Sequence, residues 1–217
     1  VGGDDSNTNA AFLAQEMFSR AVFGAHPGAR FSFTAAQLDR ITRDALVAFH
    51  ASRYVPDFAV IGIAGDITLA EAKAKLEARL AAWKKKGVPR PAVTDPQPIG
   101  PAKVFLVNRA NSVQTYLAVG TQAITRTSPD YDVLSVTNTI IGGGPTGRLF
   151  INLREDKGFT YGAYSNVSTG HYRGYWQAST SVRTEVTEPA LGEMVKEIAR
   201  LRDEVVPAKE FQDKKRS

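Results

Sequence analysis

The 217 residues contain no cysteine, so neither a disulfide nor a thiolate–metal site can form. Histidine is scarce. His26, His50 and His171 are the only three, and none stands three or four positions from another or beside a paired glutamate, which leaves no helical metal dyad. No apolar run approaches the roughly 20 residues of a membrane span. The opening stretch VGGDDSNTNAAF has neither a basic n-region nor an apolar core, and so does not read as a signal peptide. A cysteine-free chain suits cytoplasm and periplasm alike, which leaves the redox compartment open. The start without Met and the stop at KEFQDKKRS, inside a helical pattern, read as the two ends of a piece.

A hydrophobic content of 43% beside 23% charged residues fits a globular chain with a core. The net charge of +5 is concentrated at Lys84–Lys86 and Lys214–Arg216. Neither run is interleaved with aromatics, so both read as solvated, and no nucleic-acid partner is expected.

Along the chain, apolar positions from Asn9 to Phe23 predict a helix ending near Gly24 and Pro27. Thr34 with Gln37 forms a capping box, Thr42 can cap a second helix, and Thr68 with Glu71 opens a third over LAEAKAKLEARLAAW. Between them, DFAVIGIAGDI is short, apolar and β-branched, the pattern of a strand buried on both faces. From Lys84 to Lys103 five prolines and a loss of periodicity predict an extended linker. The domains expected are therefore 1–83 and 104–217, joined by 84–103. The second half starts with the β-patterned KVFLVN and VQTYLAVG, and a helix at about Asp130 to Ile141 ends at Gly142-Gly143-Gly144. A helix from about Thr146 to Asp156 stops at Gly158, where glycine suits a left-handed cap. Two antiparallel strands then turn around Ser168–His171, and a last helix has Pro189 in its first turn. The order predicts an α+β sheet covered by helices on one face.

Several features read as ordinary structure. The loop Gly142–Gly147 lacks the lysine and hydroxyl pair of a Walker loop and reads as a helix-to-helix connection, or as a hinge. His26 reads as a turn residue, His50 as a helix-end residue and His171 as exposed. The acidic pairs Asp4–Asp5 and Glu155–Asp156 read as solvated. Arg154 and Tyr161 are different. They lie seven positions apart across the break at Gly158. A guanidinium fork suits carboxylates or peptide carbonyls, and a phenol can donate to an oxyanion. The strand after Gly158 would offer an open edge to an extended peptide. Equally, the arginine could pair with Glu155 or Asp156 while the tyrosine packs. Spacing alone leaves both readings open.

RLFINLREDKGFTYGAYS, with the glycine-rich turn before it, resembles the C-terminal-domain signature of the pitrilysin/insulinase family of zinc metallopeptidases. The stretch around Tyr54, Pro56, Gly65 and Asp66 is similar to the latter half of that family's N-terminal domain. The resemblance implies two-layer α/β units of the LuxS/mitochondrial-processing-peptidase-like type, antiparallel-rich, with 1–83 the latter part of a first domain and 104–217 much of a second. It implies zinc in the complete enzyme, where a zinc-bound water attacks a peptide carbonyl. The inverted H-x-x-E-H motif is absent here, so zinc is not expected on this chain. Its implied role is to close over a peptide substrate. Arg154 and Tyr161 would stabilise the transition state and Gly158, Thr160 and Gly162 would line the substrate. The partner implied is a zinc-bearing half or subunit, and the alternative is an inactive assembly subunit or processing-peptidase partner. A periplasmic or cell-envelope location is the expectation that follows from the family alone.

Overall fold

In the computed structural model, which describes residues 9–30, 32–90 and 92–216, the first helix starts where the sequence places a cap. The Asn9 side chain accepts from the backbone N–H groups of Ala11 and Phe12, and α1 runs over Ala10–Phe23. Gly24, at φ +56°, ends it. The chain divides into two compact units, one made of residues 1–32 with 93–217 and the other of 33–92.

The first unit is built on a three-stranded antiparallel sheet of β1 (Gln114–Gln122), β2 (Ala163–Ser168) and β3 (Tyr175–Arg183), in the order β1-β3-β2. The register sets Leu117 opposite Thr180 and Ala163 opposite the same Thr180. Four helical elements follow the strand order. They are α4 (Tyr131–Ile141), α5 (an α-turn at Arg148–Phe150 continued by a π-helical stretch, Ile151–Asp156), α6 (Thr187–Asp203) and α7 (Ala208–Lys215). Side chains alternate across a strand, so Leu117, Val119, Ala163, Ala178 and Val182 share one face. They pack with Ile141, Leu149, Leu153, Ala190 and Met194 in a core whose central members are fully buried.

The opposite face is covered at one end by α1. Phe18, Val22 and Phe23 pack against Ala118, Tyr172 and Tyr175, with Phe18 edge-on to Tyr175 at 5.4 Å. A Cβ at Gly120 would lie 2.8 Å from the Phe18 ring, so the aromatic rests directly on backbone. The expectation of helices on one face therefore holds for α4–α6 but not for α1. The physical reason is that β1 alternates small and large residues, and its small ones, Ala118 and Gly120, accept the bulky end of α1.

The second unit holds a helical turn at Ala35–Leu38, α2 (Arg43–Arg53) and α3 (Leu69–Leu80). Both expected capping boxes form, at Thr34/Gln37 and Thr68/Glu71, and the Thr42 hydroxyl accepts from Ala45 N–H. The Asp57 carboxylate accepts from the backbone N–H groups of Lys86 (2.9 Å) and Gly87 (2.9 Å), which holds its pKa below the ordinary value. Of its described residues only Val55 and Ala72 are buried.

Three expectations need correction. The segment read as a buried strand, residues 57–67, is the end of a 3₁₀ turn followed by unpaired chain that forms no strand, with Val60 87% exposed. KVFLVN, residues 103–108, is likewise unpaired and exposed. A strand forms only when a neighbour supplies its hydrogen bonds, and among the described residues neither segment has one. The boundary differs too. Residues 10–30 group with the second half, and the proline-rich stretch is divided near residue 92 rather than standing outside both units. The reason is tertiary: Asp95 accepts from Arg173 N–H at 2.8 Å, and Gln122 Nε2 donates to Gln97 O and to Val22 O.

A candidate substrate-binding corner

The helix that carries Arg154 is wound loosely at its C-terminal end. Lys157 N–H donates to Asn152 O, five residues back, and Phe159 N–H reaches Leu153 O, six back. Gly158 N–H donates to Arg154 O, and Gly158 itself sits at φ +63°, the left-handed cap that its sequence position predicted. π-helical turns of this kind recur at functional sites. This one is fixed from the side. Asn152 Nδ2 donates to Glu193 (2.9 Å) and to the buried Glu197 (2.8 Å), both on α6. The Asn152 bond is the main reason that the Glu193 carboxyl is held below its usual range, with Lys196 assisting. Leu153, fully buried, anchors the next position in the core.

Arg154 points out of this turn, about half exposed. Its Nη1 donates to the backbone carbonyl of Tyr161 at 3.1 Å, its Nε lies 3.4 Å from Glu155 Oε1, and its guanidinium carbon sits 4.9 Å above the Phe150 ring. The arginine and the tyrosine are thus joined, but through the tyrosine's main chain. The Tyr161 side chain is 91% exposed, and among the described residues its phenol has no hydrogen-bond partner. Arg154 does approach Glu155, as one reading of the spacing had it, while Tyr161 does not pack.

The remaining candidates build the corner itself. Gly162 N–H donates to Thr160 Oγ1 (3.1 Å), and the Thr160 hydroxyl lies 2.7 Å from Ser181 O on β3. Thr180 Oγ1 lies 2.9 Å from both Thr160 Oγ1 and Gly162 O. A Cβ on Gly162 would meet the Tyr164 ring at 2.7 Å, so a larger residue there would displace that half-exposed ring. The polar groups of Thr160 and Gly162 are engaged within the corner. Sequence spacing gave no sign of Thr180. Its only signal is a hydroxyl where the strand pattern calls for an apolar residue.

The β2 edge is partly closed. Ser165 N–H donates to Gly142 O at 2.8 Å, and the Ser165 hydroxyl donates to Asn138 Oδ1, which also accepts from Trp176 Nε1. The glycine-rich turn therefore caps the middle of the strand edge expected to receive a peptide. A cavity of about 870 Å³, lined by Ile99, Gln122, Leu134, Trp176, Ile198 and Leu201 among others, includes neither Arg154 nor Tyr161.

The histidines do not form a metal centre. His26 Nδ1 accepts from Gly28 N–H, so its Nε2 carries the proton donated to Thr94 O, and both nitrogens are used. His50 stacks on Tyr54 at 4.7 Å and His171 is exposed. Among the described residues no three His, Cys, Asp or Glu side chains gather to hold an ion. Asp4 and Asp5 lie outside the described residues. Among the described residues the histidines stand apart and none offers the clustered donors a zinc ion takes.

A loosely wound helix, a glycine cap and an exposed tyrosine thus meet at one corner of an α+β unit. The family model of the Peptidase M16 inactive domain matches residues 40–217, and the chain belongs to that zinc-peptidase family, as its signature implied. It is 32% identical over 155 residues to an uncharacterized zinc protease of Mycobacterium tuberculosis (strain CDC 1551 / Oshkosh), covering 69% of this chain and 35% of the relative. A Bacillus subtilis uncharacterized zinc protease is 26% identical over 161 residues, covering 72% of this chain and 37% of its own length. The chain superposes on a Pseudomonas fluorescens peptidase M16 inactive domain with a TM-score of 0.87 and 29% identity, covering 99% of this chain and 52% of that one. A Helicobacter pylori protease, at 16% identity and a TM-score of 0.82, shares the fold. The chain thus spans about a third of the curated relatives' length and about half of the P. fluorescens chain.

Proposed function

We propose that this chain is the peptide-binding, non-catalytic portion of a zinc-dependent endopeptidase, and that it works with a zinc-bearing half carried outside these residues. One observation carries the reading. The peptide unit after Tyr161 is held on both sides, its carbonyl by Arg154 and its N–H by Thr160, while the phenol stands free. A donor fixed at its backbone and open at its hydroxyl suits an oxygen that gains charge as a peptide carbonyl is attacked. Arg154 contributes by holding the tyrosine's carbonyl. The guanidinium donors it does not spend there serve a substrate carbonyl or carboxylate. The metal chemistry of the family has no place on this chain's own donors, so its residues bind and orient.

The residues 33–92 fit the same reading. Their Leu46, Phe49, Val60, Ile61 and Ile63 are all more than half exposed, apolar area that a zinc-bearing half would cover. In the complete polypeptide, Tyr161→Phe should lower kcat by about 10²–10³, equivalent to about 2.7–4 kcal/mol. Arg154→Ala should raise KM and lower kcat together. Peptide cleavage, normalised to folded protein, measures both. Full turnover in both variants would leave the corner without a role in catalysis and favour an inactive assembly subunit of the same fold.

A further inference from the structure

We infer that Thr180, on β3, is a positioning residue for Tyr161, acting through its neighbours Thr160 and Gly162. This rests on the reading of Tyr161 given above and adds a residue to it.

Thr180 is 3% exposed and faces the core side of the sheet, with Leu117 on one neighbouring strand and Ala163 on the other. A hydroxyl in that setting costs free energy unless it is hydrogen-bonded. Its two partners are Thr160 Oγ1 and Gly162 O, each at 2.9 Å, and both belong to the residues that flank Tyr161. The hydroxyl protons can be followed. Thr160 Oγ1 accepts from Gly162 N–H, and its single proton goes to Ser181 O, the shortest contact at 2.7 Å. Thr180 then donates its own proton to Gly162 O or to Thr160 Oγ1, and either bond ties β3 to the corner. With the Arg154 bond to Tyr161 O, the backbone on the C-terminal side of Tyr161 is held at Tyr161 C=O and Gly162 N–H, and the Thr180 proton adds either Gly162 C=O or the Thr160 hydroxyl that receives that N–H.

This arrangement separates two jobs. Arg154 approaches from the exposed helix end, while Thr160 and Thr180 hold the same peptide units from the sheet. A side chain as exposed as Tyr161 gains its direction from backbone restraint, since no packing supplies it. Misplacement of a catalytic donor by about 1 Å can cost 10²-fold in rate, so a lost restraint is visible in turnover.

The test uses the complete zinc-bearing polypeptide. Thr180→Val keeps the branched shape and removes only the hydroxyl. It should lower kcat about tenfold with KM within about twofold, and Thr180→Ser should restore it. In a Tyr161→Phe background, Thr180→Val should cost less than about twofold more, because its effect passes through the tyrosine. Thr160→Ala, at a part-exposed site, should reproduce the Thr180→Val loss and covers the case in which Thr180→Val does not fold. Wild-type kcat in both threonine variants, beside an impaired Tyr161→Phe, overturns the role of Thr180 and leaves the tyrosine reading intact. Losses at Thr180 and Tyr161 that multiply in full overturn it too. Full turnover in Tyr161→Phe overturns the tyrosine reading and this inference with it.

Discussion

The two units are held together by different forces. Residues 93–216 close around Ile141, Leu149, Leu153, Val182 and Met194, all almost without solvent contact, and α1 packs Phe18, Val22 and Phe23 on the other face of the sheet. Residues 33–92 hold their helices by caps and by one carboxylate that gathers two N–H groups, while Leu46, Phe49, Val60 and Ile63 stay more than half exposed. Local hydrogen bonds define where helices start. Burial of apolar area supplies most of the free energy that keeps them in place. The second unit therefore has well-marked elements and little apolar burial to fasten them, as the proposed cover by a zinc-bearing half would require.

The contrast can be tested by substitution, and each unit has its own reporter. Trp176 lies in the first and Trp83 in the second, so single-tryptophan variants follow each separately by fluorescence. The largest effect is expected at Leu153. Truncation to alanine empties a fully buried site and should cost about 2–5 kcal/mol by denaturant unfolding read at Trp176. A cost below about 1 kcal/mol would show that the core is looser than its burial indicates.

Glu210 comes next. Its carboxylate takes two hydrogen bonds from Arg148, both 2.8 Å, and these fasten α7 to the start of α5. Removing such charged bonds through Glu210→Gln should cost about 1.5–3 kcal/mol. The bond from Arg148 holds the Glu210 carboxyl, in the folded chain, below its ordinary value of about 4.5. The folded state thus binds this proton more weakly than the unfolded state does. The contribution is complete above the unfolded pKa and fades as pH falls through the folded one. Wild-type protein should accordingly lose stability relative to Glu210→Gln below about pH 4.5, and parallel pH profiles would dismiss the linkage.

Thr68→Ala removes one capping box and should lower the α3 signal by about 1 kcal/mol, measured by circular dichroism of the second unit. The smallest effect belongs to Leu46→Ala, 58% exposed, at no more than about 0.5 kcal/mol in this chain. The same substitution in the complete polypeptide should cost several times more if a partner half covers that side. Equal small costs in both would remove the proposed cover.

What could be read from the sequence was local. Thr34 with Gln37, Thr68 with Glu71, Gly158 at positive φ and Pro189 in the first turn of α6 all depend on residues within a few positions. The apolar patterns of 57–67 and 103–108 were legible, but neither forms a strand, because pairing depends on a neighbour that local pattern does not specify. The packing of α1 on β1 joins residues about a hundred positions apart, as in the bond from Gln122 to Val22, and no periodicity announces it. The spacing of Arg154 and Tyr161 pointed to a corner. It could not tell that the arginine would bind the tyrosine's carbonyl rather than stand beside its phenol. Thr160 and Thr180, twenty positions apart, meet only because β2 and β3 pair in that register.

The loosely wound turn Ile151–Asp156 carries a requirement of another kind. A π-turn holds one residue more than the α-turn it replaces. Loss of Asp156 alone would let the stretch relax to ordinary α-helix and would leave Arg154 one residue nearer to Gly158, out of its present alignment. Arg154 would then face away from the Tyr161 carbonyl with every side chain of the corner still present. At this point the chain is constrained by length. A comparison of relatives that counts matched letters would pass over a one-residue gap here, although it is the change that the corner could least absorb.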